Sequence, residues 1–321
     1  MRIKSKISNE VKNKIIVILG PTASGKSELA VKLALRLCSG QAEIISADSR
    51  QVYKGLDIGT GKLSKKDMKG IPHHCLDMVS PKKIFTVIDF KKRAEKAIKD
   101  ILNRGKTPIV CGGTGFYIGA ITDDIKIPEI KPNWKLRKKL GGKSTEQLFK
   151  MLKKLDPERT KNIDPKNPRR LIRAIEIAKA KTEFFNSRRG RAIREANGVK
   201  ELKNSVFAIG IKLSEKELKR RIEKRLKKMF RDGLLNEVKK LRKQGISWKR
   251  LYELGFEYKY PSLFLQGKIS KTEMLDKMLL ENWHYAKRQM TWFKRDKRIK
   301  WLRGCKESNP GLFFWREKFY H

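Results

Sequence analysis

Gly20-Pro21-Thr22-Ala23-Ser24-Gly25-Lys26-Ser27 decides how this chain is read. It fits G-x-x-x-x-G-K-[ST], a loop whose backbone N–H groups turn inward around an anion. In such a loop the lysine meets the distal phosphate oxygens, and the serine hydroxyl is placed to ligate Mg2+. A chance match arises in on the order of one in a hundred chains of this length, and in a few in a hundred given so many lysines. The flanks agree with the motif. The β-branched run at 15–19 reads as a buried strand, and Leu29, Leu33 and Leu37 recur behind the loop at helical spacing. The signal is strong for phosphate binding and silent on what is done with the phosphate.

A second strand at 42–47 ends at Asp48. A helix at 87–102 puts Phe90, Ala94, Ala97 and Ile101 on one face, and a third strand at 108–111 runs into Gly112-Gly113-Thr114. This alternation predicts an α/β fold, a P-loop NTPase-like doubly wound parallel sheet. From about 120 to 200 the chain shows no strand pattern, only basic helical segments separated by Pro and Gly, which predicts a mostly helical insertion. Strand character returns at 206–211, with long helices expected at 215–244 and 271–294 and a short strand at 299–302. Ser214 with Glu217 reads as a capping box for the first of these helices. The expected organisation is a first part of the core at 1–119, an insertion at 120–203 and the completion of the core at 204–321.

Lys and Arg number 78 against 34 Asp and Glu, a formal charge of +44 on 321 residues. Such a chain attracts a polyanion, and nucleic acid is the obvious one, although a lysine-rich habit shared by a whole lineage would look the same. The four cysteines lie far apart without a C-x-x-C pair. That spacing argues against a disulfide framework or a structural zinc, and for a reducing cytosol. The apolar run at 15–19 is too short for a signal peptide or a membrane span, so a cytoplasmic protein with no membrane partner is expected.

In a doubly wound sheet, ligands sit outside the carboxyl ends of the strands. Here those ends carry the phosphate loop, Asp48 and Thr114. Asp48 is either a carboxylate that holds Mg2+ through water, as in many P-loop NTPases, or a general base. Thr114 either caps a helix or reaches a diphosphate. Arg225 lies on the inward stripe of its helix with Leu218, Ile222 and Met229. An unpaired charge there is costly, and an anionic ligand satisfies it better than snorkelling to the edge. Asn167-Pro168 reads as the start of a helix, with Arg169, Arg170 and Arg173 clear of its apolar side. Taken alone, those arginines are a solvated basic face. His73-His74-Cys75 with Asp77 lacks a second ligand pair and reads as local hydrogen bonding near the crevice. Trp283, Tyr285, Trp292, Phe293 and Trp301 read as core.

Six segments then converge on one family. GPTASGKS, ISADSRQVYKGLDIGTGK from Ile45, PHHCLD from Pro72, GGTGFY from Gly112, NPRRLIRAIEI from Asn167 and YAKRQMTWFKR from Tyr285 resemble the tRNA dimethylallyltransferases, in the family's order and over nearly the whole chain. The resemblance implies transfer of a dimethylallyl group from dimethylallyl diphosphate to N6 of the adenosine just 3′ of the anticodon, in place of the small-molecule kinase that the phosphate loop alone would suit. It implies that Gly20, Pro21, Thr22, Ala23, Ser24, Gly25, Lys26 and Ser27 hold the diphosphate together with Arg225, with Mg2+ at Ser27. Asp48 becomes the base, and Thr114 lies near the reacting groups. Asp48, Ser49, Arg50, Gln51, Thr114, Arg137 and the stretch Arg169, Arg170, Leu171, Ile172 and Arg173 match regions that touch the anticodon stem-loop of tRNA. A monomer is expected. The chain departs from the family after Leu254, where GFEYKY stands for a GY(K/R)(E/Q)-type sequence, and at Arg50-Gln51, where some members are less polar.

Overall fold

A computed structural model describes residues 15–37, 41–123, 127–128, 130–186 and 206–303. Cys38, Cys305, the charged segment at 1–14 and the insertion's residues 187–203 lie outside them. The chain divides into two compact units, Met1–Ile125 with Val199–His321, and Lys126–Gly198.

The first unit opens with β1 (Ile15–Leu19), α1 (Lys26–Arg36), β2 (Ala42–Ser46), α2 (Lys65–Met68), β3 (His73–His74), α3 (Val87–Asn103), β4 (Thr107–Gly112) and α4 (Gly115–Thr122). The insertion boundary expected at 120 falls inside α4. The second unit holds α5 (Trp134–Leu140), α6 (Thr145–Leu155), α7 (Pro157–Thr160) and α8 (Pro168–Asn186). The first unit resumes with β5 (Val206–Lys212), α9 (Glu215–Arg231), α10 (Leu234–Lys243), α11 (Trp248–Glu253), α12 (Phe256–Leu265), α13 (Lys271–Phe293) and β6 (Lys300–Arg303).

The six strands form one sheet in the order β3-β2-β4-β1-β5-β6, and every pairing is parallel. Parallel sheets are covered on both faces, which explains why the inner strands read as largely apolar runs. Ile15, Val17 and Leu19 turn one way onto Phe90, Ala94 and Ile98 of α3. Ile16 and Ile18 turn the other way onto Ala30, Val31 and Ala34 of α1. The phosphate loop leaves the sheet from β1, the strand between β4 and β5.

Three features differ from the sequence reading. The helix expected at 215–244 is two helices, because Asp232 ends α9 and Gly233 turns to φ 99° before α10 starts. That conformation suits glycine and interrupts a helix. Ser214 does accept a hydrogen bond from the Glu217 amide, but the Glu217 side chain pairs with Arg220 and Arg221 instead of closing a capping box. His73 and His74 form an edge strand on β2. His74 Nε2 lies 2.7 Å from Glu43, and neither histidine lines the crevice. Arg104, Lys106 and His74 together hold the Glu43 carboxyl well below the usual carboxylate range.

The second unit has its own core of Leu140, Leu148, Leu152, Leu171, Ala174 and Ile175. Its helix α8 starts as expected, with Asn167 Oδ1 accepting from the Arg170 amide. Glu176 is buried inside this unit. It accepts from the Asn133 amide, from Arg137 at 3.0 and 2.8 Å, and from Arg173.

Candidate active site

The carboxyl ends of β1, β2 and β4 open on a cavity of about 400 Å³. The loop after β1 supplies Thr22 through Ser27, the turn after β2 supplies Asp48 through Gln51, and the turn after β4 supplies Gly112 and Gly113. Gly20 needs its φ of 149°, and a Cβ there would stand 2.8 Å from the Ile211 carbonyl oxygen. Gly25 takes φ 93° at the start of α1, leaving that helix's first N–H groups directed at the cavity. Lys26 Nζ donates to the Pro21 carbonyl at 2.7 Å, so the lysine is folded across its own loop.

Asp48 sits two residues beyond β2. Its Oδ1 accepts from the Arg50 amide at 2.8 Å and the Gln51 amide at 3.4 Å, which fixes the carboxyl at the cavity wall. Thr114 begins α4, but its hydroxyl makes no capping bond there. It accepts from the Ser49 amide at 3.1 Å and is hydrogen-bonded to Tyr285. Thr114 therefore stands behind the wall, not on it as expected, and touches the cavity only through Ser49 and Tyr285, which line it.

The later helices close the site. Arg225 of α9 donates to the Thr22 hydroxyl and, at 3.2 Å, to the Thr60 carbonyl. Among the described residues no carboxylate forms an ion pair with it, so the inward arginine expected from helical spacing faces the cavity with hydrogen-bond partners only. Glu237 of α10 accepts from the amides of Asp57, Ile58 and Gly59 at 2.7–3.0 Å and thereby holds the loop that carries Gly59, Thr60 and Gly61 into the cavity wall. Gln289 of α13 is buried, accepts from the Thr22 amide at 2.7 Å and donates to the Gly113 carbonyl at 2.8 Å. One side chain thus fastens the phosphate loop to the β4 turn.

Sequence reasoning found Asp48, Lys26 and Arg225 but missed Glu237, Gln289 and Glu257. The assignment of the α13 aromatics to the core holds for Phe293, which is buried. It fails for Tyr285, which lines the cavity, and for Trp292, which is 40% exposed. Glu257, at the start of α12, is a further cavity carboxyl beside Asp48 and Glu28. Burial pushes it up to about 7, with Arg225 and Arg50 opposing the shift.

The basic residues of the second unit separate into two kinds. Arg169 and Arg170 are exposed, whereas Arg137 and Arg173 spend their guanidinium donors on Glu176, and Arg173 also donates to the Ile130 carbonyl at 2.9 Å. Ile172 is partly buried. Leu171 is fully buried, so its side chain belongs to the unit's core and offers a ligand no surface.

Among the described residues no group of three or more His, Cys, Asp or Glu is arranged to hold a metal, and no helix is long and apolar enough to cross a membrane. The IPP transferase family model matches residues 51–296. The tRNA dimethylallyltransferase 1 of Syntrophus aciditrophicus is 41% identical over 297 residues, covering 90% of this chain and 93% of that protein. The tRNA dimethylallyltransferase of Staphylococcus epidermidis is 40% identical over 296 residues, covering 90% and 86%. Among solved structures, the full-length tRNA isopentenylpyrophosphate transferase of Bacillus halodurans aligns with a TM-score of 0.68 at 32% identity, over 96% of this chain and 95% of that one. A eukaryotic dimethylallyltransferase captured acting on tRNA aligns with a TM-score of 0.74 at 26% identity, over 94% and 77%.

Proposed function

We propose, since this chain belongs to the IPP transferase family, that it transfers a dimethylallyl group from dimethylallyl diphosphate to N6 of the adenosine 3′ of the anticodon in tRNA. The observation that carries the reading is a single cavity holding a phosphate loop, an arginine with no carboxylate ion pair among the described residues and a fixed aspartate.

The chemistry follows from what each group can stabilise. Adenine N6 is a weak nucleophile, so the electrophile must be made strong. As the allylic C–O bond breaks, its electron pair goes to the departing diphosphate. The remaining N–H groups of the phosphate loop, with Lys26 and Arg225, receive that charge, while the Thr22 amide stays on Gln289. As the N6–C bond forms, the Asp48 carboxylate takes the amine proton. Two amides fix Asp48 Oδ1, which leaves Oδ2 for this task. Ser27 would hold Mg2+ together with diphosphate oxygens and water, a hard-oxygen set that suits the ion and spreads the same developing charge. In this reading Arg169 and Arg170 meet tRNA phosphates, and Arg50 and Gln51 line the approach of the acceptor base.

Incubation with labelled dimethylallyl diphosphate and unmodified tRNA, AMP or ATP tests the proposal. Label on tRNA alone is the expected result. Label on free AMP, or phosphate transfer from ATP with no prenyl transfer, would overturn it.

A further inference from the structure

Asp48 is not the cavity's only carboxyl. Glu257 lines the same space as Lys26, Arg50, Arg225 and Arg288. A Cβ built on Gly255 would lie 3.1 Å from Glu257 Oε2 and 3.6 Å from Arg50 Nε, so the acid and that guanidinium flank one bare backbone position. Across the cavity, a Cβ on Gly61 would lie 2.8 Å from Arg225 Nη2. Glu257 therefore stands among the cations that a diphosphate would need.

We propose, on the reading that this cavity takes a prenyl diphosphate, that Glu257 is a further binding determinant whose carboxyl carries a proton whenever the diphosphate is bound. Ionised, it would repel the diphosphate and compete with it for Arg225 and Arg50. Protonated, it is neutral and can donate a hydrogen bond to a phosphate oxygen. Linkage makes the effect reciprocal: if the proton favours the diphosphate, the bound diphosphate raises the carboxyl's proton affinity by the same factor. The groups facing Glu257 are Asp48 and Arg50 from the β2 turn, Arg225 from α9, Tyr285 from α13 and Tyr258 on its own helix. Asp48 favours its neutral form, the arginines oppose it, and the two phenols are uncharged across the range tested. Burial is the largest influence, and the free carboxyl already titrates at about 7. The sign follows directly. Below pH 7 Glu257 is neutral and the diphosphate binds freely, whereas above pH 7 a proton must be taken up first and affinity falls.

The experiment measures equilibrium binding of dimethylallyl diphosphate, without tRNA, to the wild type and to Glu257→Gln from pH 6 to 8.5. Reporting the ratio of the two affinities removes the ligand's own titration. The ratio should be nearly constant below pH 7 and should turn toward the variant by roughly tenfold per pH unit above it. A ratio that stays flat, or a variant whose binding is weakened most at high pH, overturns the proposal. If Glu257→Gln does not fold, Glu257→Ala is read in the same way. Prenyl transfer to tRNA by the wild type, assayed at pH 6, separates the two ideas. Transfer with a flat ratio sinks the role of Glu257 alone, and no transfer sinks the function from which it was argued.

Discussion

Asp48 and Gln289 show how differently single residues reach the chemistry. Asp48→Asn keeps an Oδ1 that can accept from the Arg50 and Gln51 amides, so the turn should survive while proton acceptance is lost. Prenyl transfer to tRNA should fall by about 10²- to 10⁴-fold, with dimethylallyl diphosphate affinity within a few fold of the parent. A collapse of that affinity in a binding titration would show instead that Asp48 works through the metal. Gln289 touches no reacting atom in this scheme and acts through the loops it joins. Gln289→Leu leaves the Thr22 amide and the Gly113 carbonyl buried without their partner, at roughly 1–3 kcal/mol for each group. The KM for the diphosphate should rise more than kcat falls, because the loop that binds it is loosened. Equal loss in both, with melting temperature unchanged, would mean that Gln289 has no such positioning role.

At the level of elements, the short second unit depends on one buried carboxylate. Burial pushes Glu176 up, but hydrogen bonds from Arg137, Arg173 and the Asn133 amide outweigh it and hold the group at about 2, against an ordinary 4.5. A depressed carboxylate contributes stability that is complete above the unfolded value and is lost as protons arrive. The unit should therefore loosen as pH falls from about 4.5 toward 2, seen as faster amide exchange across α5 and α8. Arg137→Ala or Arg173→Ala should move that loosening to higher pH. Exchange that is insensitive to either change would show that Glu176 is not what ties α5 to α8. Elements also mark where sequence patterns stop being informative. The inner strands and the loop could be read because both faces of the sheet are covered and the runs are unbroken, whereas the two-residue edge strand at His73–His74 has no such run. The division of α9 from α10 could not, since Ile222, Leu226, Phe230, Leu234, Val238 and Leu241 keep an apolar spacing of three or four straight across Gly233. Glu237 and Gln289 were hidden for another reason: apart from the Tyr258 hydroxyl on Glu237, their partners are backbone N–H and C=O groups, which carry no mark in a one-letter code.

For the whole molecule the dominant quantity is its charge of +44. Binding to tRNA should weaken log-linearly with salt, by a slope of about −0.7 to −0.9 per phosphate contacted. Neutralising Arg169 and Arg170 together should lessen that slope by about one unit for each true contact, while turnover at saturating tRNA stays close to the parent's. Arg173→Ala should change the slope little, since its guanidinium is committed to Glu176 and Ile130. If the double variant retains the parent's slope, those two arginines are only solvated surface.

The bonds that complete the cavity span most of the chain. Gln289 reaches back 267 positions to Thr22 and 176 to Gly113, and Arg225 reaches back 203 to Thr22. A ribosome that has made the first two hundred residues has released the phosphate loop, Asp48 and four of the six strands. Arg225, Glu257 and the glutamine tie have yet to be translated. A nascent or prematurely stopped chain can fold part of a sheet but cannot assemble this site. Competence to act on tRNA therefore arrives late in synthesis, when α13 docks.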